Sequence, residues 1–128
     1  MKLLVGFDGS NSGKEAVNLA KKHGKIFSAE IIVIASMEKG TDNDEIAKVN
    51  QHLTWAKKSL EETGLKCESQ FLIRGNSPGE DIVKFAKDNQ VDVIIVGVKR
   101  RSKVGKILMG STAQYVILKA HCPVLTVK

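Results

Sequence analysis

Short, almost purely apolar runs recur along this chain and alternate with segments of helical period. Residues 2–7, 31–35, 91–96 and 123–127 are such runs, and three of the four are nearly free of polar residues. A strand whose two faces are both covered needs apolar side chains on both, so unbroken runs of this length predict the interior of a parallel sheet. Residues 67–73 are more mixed, with Glu68, Ser69 and Gln70 among them, and predict an edge strand.

The intervening segments carry helix signals. Ser12 followed by Glu15 has capping-box spacing, with Ala16, Leu19 and Ala20 repeating behind it, and Gly24 is the expected stop. Ile46, Val49, Leu53, Ala56 and Leu60 recur every three or four residues and build one apolar face, with Trp55 off that face and Gly64 as the expected C-terminal cap. Ser77, Pro78 and Glu80 make a second capping box with proline in the first turn, ahead of Ile82, Val83 and Ala86. A fourth helix, lined by Ala113, Val116, Ile117 and Ala120, is expected to begin near Gly110 and Ser111.

The order is β-α-β-α-β-α-β-α-β. Right-handed crossovers then predict an α/β fold, a doubly wound open sheet of five parallel strands with four helices, forming one domain over residues 1–128. Sheets of this kind bind ligands at the carboxyl ends of their strands, where the strand order reverses. A 42% hydrophobic content suffices for a core. Cys67 and Cys122 stand far apart with no C-x-x-C pair, and His23, His52 and His121 lie singly, so neither a redox pair nor a metal site is expected. The apolar start is too short for a signal peptide, and nothing approaches the roughly 18 apolar residues of a membrane span, which predicts a soluble cytoplasmic protein without a membrane partner.

Three loops should open on the same sheet edge: residues 8–13, 74–78 and 97–110. The first, Gly9-Ser-Asn-Ser-Gly13-Lys14, has the glycines and lysine of a Walker A loop but only three residues between the glycines, with Glu15 where the magnesium-binding hydroxyl belongs. No G-x-G-x-x-G occurs. Asp8 reads equally well as a turn residue or a ligand contact. The third loop is long for a strand-to-helix connection and carries Lys99, Arg100, Arg101, Lys103 and Lys106 within a chain of net charge +6. Gly110, Ser111 and Thr112 behind it would present free N–H groups and two hydroxyls at a helix start, an arrangement suited to phosphate. A solvated basic loop followed by an ordinary helix cap remains the alternative reading.

Val5-Gly-Phe-Asp8-Gly9-Ser10, Arg74-Gly75-Asn-Ser-Pro78-Gly-Glu80-Asp-Ile82, Val91-Asp92-Val-Ile-Ile-Val-Gly97 and Gly110-Ser111-Thr-Ala-Gln-Tyr115-Val116 with Cys122-Pro123-Val124 together resemble the signatures of the universal stress protein family, in register over essentially the whole chain. The resemblance implies an adenine-nucleotide alpha-hydrolase-like sheet of order 3-2-1-4-5. ATP-binding members carry a glycine, two residues, a second glycine, nine residues, then Gly-Ser or Gly-Thr. Gly97, Gly110 and Ser111 match this pattern, while Arg100 stands at the second glycine. An arginine forced to positive φ there would cost on the order of 1 kcal/mol, little beside the roughly 8 kcal/mol of a micromolar site, whereas a blocked cavity would end binding. An inward guanidinium would instead grip phosphate.

By that resemblance Asp8 would lie by the adenine of ATP, with magnesium as its companion, and Gly97, Lys99, Arg100, Gly110, Ser111 and Thr112 would surround ribose and phosphates. The family contacts the base at the end of the second strand, here Ala35-Ser36-Met37, where no residue is assigned. The final strand would pair two protomers into a homodimer. The leading expectation is a nucleotide-binding regulatory or stress-response module with no catalytic residue. Its alternatives are a homodimeric interaction protein of the same family that binds no ATP, a slow ATPase or phosphotransfer enzyme, and, last, a nucleic-acid binder, which the 5% aromatic content and lack of a recognition motif disfavour.

Overall fold

A computed structural model describes the chain except Gly75 and residues 102–104, and describes only the main chain of Arg74, Lys99, Arg100, Arg101 and Ile107. Among the described residues a five-stranded parallel sheet is built from β1 (Lys2–Gly6), β2 (Glu30–Glu38), β3 (Cys67–Arg74), β4 (Val93–Gly97) and, last in the chain, β7 (Val124–Val127). A two-stranded antiparallel hairpin, β5 (Lys99–Arg101) and β6 (Ile107–Met109), precedes the last helix. The sheet order is β3-β2-β1-β4-β7, so counting sheet strands alone it is the expected 3-2-1-4-5. The mixed strand β3 is indeed an edge.

Both faces of the sheet are covered, which is why its strands are apolar throughout. Leu3, Val5, Ile31, Val33 and Ile95 point to one side and pack with Ala16, Val17 and Ala20 of α1 (Asn11–Phe27) and Leu53, Ala56 and Leu60 of α2 (Asn43–Glu61). Leu4, Ile32, Ile34, Ile94 and Val96 point to the other and pack with Ile82 and Ala86 of α3 (Pro78–Asp88) and Ala113 and Val116 of α4 (Ser111–Lys119). Each fully buried Leu, Ile or Val contributes roughly 1.5–3 kcal/mol relative to exposure, so these two layers carry the fold. No helix among the described residues is long and apolar enough to cross a membrane.

The Ser77–Glu80 capping box is present as expected, with Pro78 opening the helix. Three other helix signals are corrected. The cap of α1 is Ser10, whose hydroxyl accepts from the Gly13 amide at 3.1 Å, so Ser12 lies inside the first turn and is 6% exposed, while Glu15 faces solvent. Gly24 does not stop α1, which runs on to Ser28 in the left-handed conformation at φ 51°. Gly24 is there for packing: a Cβ on it would lie 2.7 Å from Leu65 Cδ1 and 2.8 Å from Ile31 Cδ1. Gly64 is not the cap of α2, which is Glu62; it lies two residues further on, in the turn that follows, at φ +77°.

The position of the α1 cap is directly testable by urea unfolding. Ser10→Ala should cost about 1 kcal/mol, whereas Glu15→Ala, exposed and outside any box, should stay within about 0.5 kcal/mol of the parent. The reverse result would restore Ser12 as the cap.

Candidate functional site

A cleft of about 620 Å³ opens at the carboxyl ends of β2, β1 and β4, on the face covered by α3 and α4. Each of the three loops singled out in the sequence reaches it or flanks it. The first contributes Asp8 and residues 10–13; the second leads into Pro78; the third contributes Gly97 and Val98 at one end and Gly110, Ser111, Thr112 and Ala113 at the other. Gly6, Ile34, Ile82 and Val96 supply an apolar floor and wall.

The site begins with how α4 starts. Ser10, Asp42 and Ser77 cap α1, α2 and α3 through side chains that accept a main-chain N–H. Gly110 caps α4 at φ −67° with no side-chain hydrogen bond, and a Cβ there would meet nothing within 4 Å. The first-turn amides of an α-helix have no partner inside the helix, so those of α4 face the cleft together with the partial positive charge of the helix end. The Ser111 and Thr112 hydroxyls stand in the same turn.

Asp8 lines the cleft beside β1, and its Oδ1 accepts from the Ser10 amide at 2.9 Å, which leaves its other oxygen for a further donor. The loop that carries it is held by glycines. Gly9 has φ +84°, and a Cβ there would collide with the His52 ring at 2.5 Å; a Cβ on Gly13 would crowd Asp8 Oδ1 and Phe7 at 3.0 Å. Behind this loop the Phe7 ring meets Trp55 at 5.9 Å, and Lys14 Nζ lies 5.9 Å above the Trp55 ring.

Gly97 belongs to the cleft wall, yet its lack of a side chain has a second cause. A Cβ there would lie 2.4 Å from the Ser12 carbonyl carbon and 2.5 Å from its oxygen, so the end of β4 presses directly on the first turn of α1. Gly110, by contrast, stands in open space.

The segment expected to be one long loop from Gly97 to Gly110 contains the β5–β6 hairpin, with Gly105 at φ +81° in its turn region. Arg100 pairs with Leu108 in β5. Extended backbone is open to any L-residue, so the strain expected for arginine at this position does not arise. The side chains of Lys99, Arg100 and Arg101 lie outside the described residues, as does Lys103 altogether; Lys106 is exposed.

Sequence reasoning left Ser36 unassigned, and it lines the cleft at the end of β2. Its hydroxyl donates to Asp81 Oδ2 at 2.5 Å, and Asp81, on α3, is only 1% exposed. Asp81 Oδ1 accepts from Asn76 Nδ2 at 3.3 Å. The signal available for Ser36 was a polar residue ending an otherwise apolar strand; none distinguished Asp81 from its exposed neighbour Glu80.

The two thiols lie at the start of β3 and before β7, on the amino-end edge away from the cleft. Burial pushes both the Cys67 and Cys122 thiols above the ordinary cysteine range, with Glu61 adding to the rise at Cys67. No group of three or more His, Cys, Asp or Glu able to hold a metal occurs among the described residues.

A doubly wound parallel sheet with a cleft at its switch point, bordered by a helix start that lacks a side-chain cap, defines an open α/β domain. The model described as the Universal stress protein family matches residues 1–128, and the chain belongs to that family. A universal stress protein of Methanocaldococcus jannaschii is 33% identical over 140 residues, covering 99% of this chain and 81% of the relative. The structure of a universal stress protein from Archaeoglobus fulgidus superposes with a TM-score of 0.89 at 31% identity, covering 100% of this chain and 98% of that one. A structure of the universal stress protein from that organism in complex with dAMP has a TM-score of 0.84 at 28% identity, again over 100% and 98%.

Two outcomes follow. Gly97→Ala meets backbone that cannot rotate away, so it should destabilise the fold by about 3 kcal/mol, while Gly110→Ala should cost less than about 1 kcal/mol; urea titration separates them, and equal costs would contradict the β4–α1 contact. Because thiolate is the reactive form and burial raises the pH at which it appears, a disulfide-exchange reagent at pH 8 should label the native thiols more slowly than the unfolded chain, and the native rate should still be rising at a pH where the unfolded rate has levelled. The sign for stability is the same: the folded chain holds protons that the unfolded one releases, so stability falls as pH rises through this range.

Proposed function

We propose that this protein is an adenine-nucleotide-binding regulatory module, with ATP as the expected ligand, working in the cytoplasm as one domain over residues 1–128. The observation that carries the reading is the uncapped start of α4 at Gly110, facing a cleft of about 620 Å³. The donor set fits such a ligand: Ser111 and Thr112 with their amides would hold the phosphates, Gly97 and Val98 would border the ribose, and Asp8 would lie by the base. The proposal also assigns Lys99 and Arg100, whose backbone lies in β5, to the phosphate end. A bound nucleotide supplies an anionic tail and a flat aromatic base, and its occupancy sets the shape of the surface around the cleft. No role for magnesium is derived from these residues.

The dAMP complex of the Archaeoglobus fulgidus relative supports the ligand class. Two free, separated cysteines accord with a reducing compartment. The edge strand β7 offers an unpaired side to a second copy, so the proposal includes a homodimer joined there. Arg100, where ATP-binding members carry the second glycine, supports one competing reading: a homodimeric interaction protein of the same family without nucleotide.

Calorimetric titration with ATP separates the two. The parent should bind, and Thr112→Asp should lose at least tenfold in affinity, because a carboxylate in the first turn repels phosphate, while its stability holds because acidic groups suit a helix start. No binding by the parent with a gain in Arg100→Gly would select the competing reading; no binding by either would end the nucleotide proposal.

A further inference from the structure

Trp55 is the chain's single tryptophan, and it stands on the solvent side of α2, 42% exposed. It is also held in place. The Phe7 ring meets it at 5.9 Å and 66°, and Lys14 Nζ from α1 lies 5.9 Å from the ring centre. A ring fixed from two sides has little freedom left to lose on meeting a partner, and tryptophan is among the side chains that most often carry binding energy.

Helical spacing gathers cations around it. Lys48 lies seven residues before Trp55 and Lys58 three after, so both share its stripe of α2, and both are exposed. Lys14 and Lys21 are likewise seven apart on α1, and Lys21 Nζ donates to Ser59 Oγ at 3.0 Å, which sets this pair on the rim facing α2. None of the four makes an ion pair with a described residue. Lys57, by contrast, lies almost opposite Trp55 around the helix and is 3.8 Å from Glu61.

The patch is bounded. Asp44 and Glu62 fall on the same stripe, four residues before Lys48 and four after Lys58. Lys48 to Lys58 covers about 15 Å of helix, the length of about five residues of extended chain. A polyanion running on past it, such as a nucleic acid strand or an anionic membrane, would meet carboxylates at both ends, and a single ring is too little for a row of stacked bases. A short acidic stretch of protein fits between them.

We propose that the α1–α2 surface centred on Trp55 docks an acidic segment of a partner protein, about five residues long with an apolar side chain near its middle. Its carboxylates meet Lys14, Lys21, Lys48 and Lys58 while the apolar group covers the indole. The inference does not rest on the nucleotide reading, because none of these five side chains lines the cleft. Phe7 lines the cleft and touches Trp55, so the two sites stand back to back.

The probe is a synthetic peptide of about five glutamates around a central leucine, free of aromatic residues, so that Trp55 reports its own coverage by fluorescence. Emission should shift to shorter wavelength and saturate, and affinity should fall about fivefold or more between about 50 and about 300 mM salt. A glutamine version of the peptide should not bind. Lys58→Glu should weaken binding about tenfold or more, while Lys57→Glu, the same charge change one residue away, should stay within about twofold. Trp55→Ala, followed by calorimetry, should lose about fivefold or more; if circular dichroism shows it unfolded, the two lysine variants decide. Equal losses in Lys57→Glu and Lys58→Glu would mean attraction to the net charge of +6 and overturn the proposal. So would the lack of a saturable shift, or tighter binding of an oligothymidylate of equal charge. A shift produced by raising the protein concentration alone would make the occupant a second copy and overturn it too.

Discussion

Because β2, β1 and β4 are covered on both faces, their polar main-chain groups reach a ligand only where the strands end. The apolar side chains that fill the two layers leave nowhere else for a polar cavity to form without stranding buried donors and acceptors. The crossing of the chain from one face to the other between β1 and β4 then leaves a gap at the carboxyl edge, since α1 departs to one side and α4 to the other. The cleft is thus a consequence of two-sided burial combined with a reversal of strand order.

Close packing sets how wide that gap is. The backbone contact between Gly97 and Ser12 brings the end of β4 against the first turn of α1, and Gly9 and Gly13 let the loop between β1 and α1 fold tightly under His52 and around Asp8. A glycine at these places removes an atom that would force two main chains apart. Gly110 works differently: it has free space around it and ordinary negative φ, so its contribution is the absence of a capping side chain rather than any conformational freedom. The two glycines that a spacing pattern treats as equivalents serve separate ends, one a close backbone contact and the other a helix start without a side-chain cap.

That distinction marks what could be read in the sequence. The sheet strands were legible because two-sided burial is written as unbroken apolar runs, and the edge character of β3 because its run is broken by Glu68, Ser69 and Gln70. The start of α3 was legible because its box and its proline coincide on the same turn. The start of α1 was not: Ser10 and Ser12 both precede apolar residues at plausible spacing, and only the way the loop leaves β1 decides between them. Gly24 misled because glycine is scarce inside helices, and the packing of Leu65 and Ile31 that requires it is nonlocal. The hairpin within residues 97–110 was hidden by its charges, and the Ser36–Asp81 pair by its separation of 45 residues.

The hairpin also changes what a substitution at position 100 can mean. A glycine in a phosphate loop matters when the loop needs positive φ or when a side chain would stand between main chain and ligand. In β5 the first reason is gone, since Arg100 has the extended backbone of a strand paired to Leu108. What remains is a question of side-chain direction alone, and residues of a strand alternate between its two sides. The uncapped amides of α4 and the Ser36–Asp81 pair are positioned by the sheet, α3 and α4, none of which depends on that hairpin for its packing layers. The two ends of the cleft are therefore set independently of position 100.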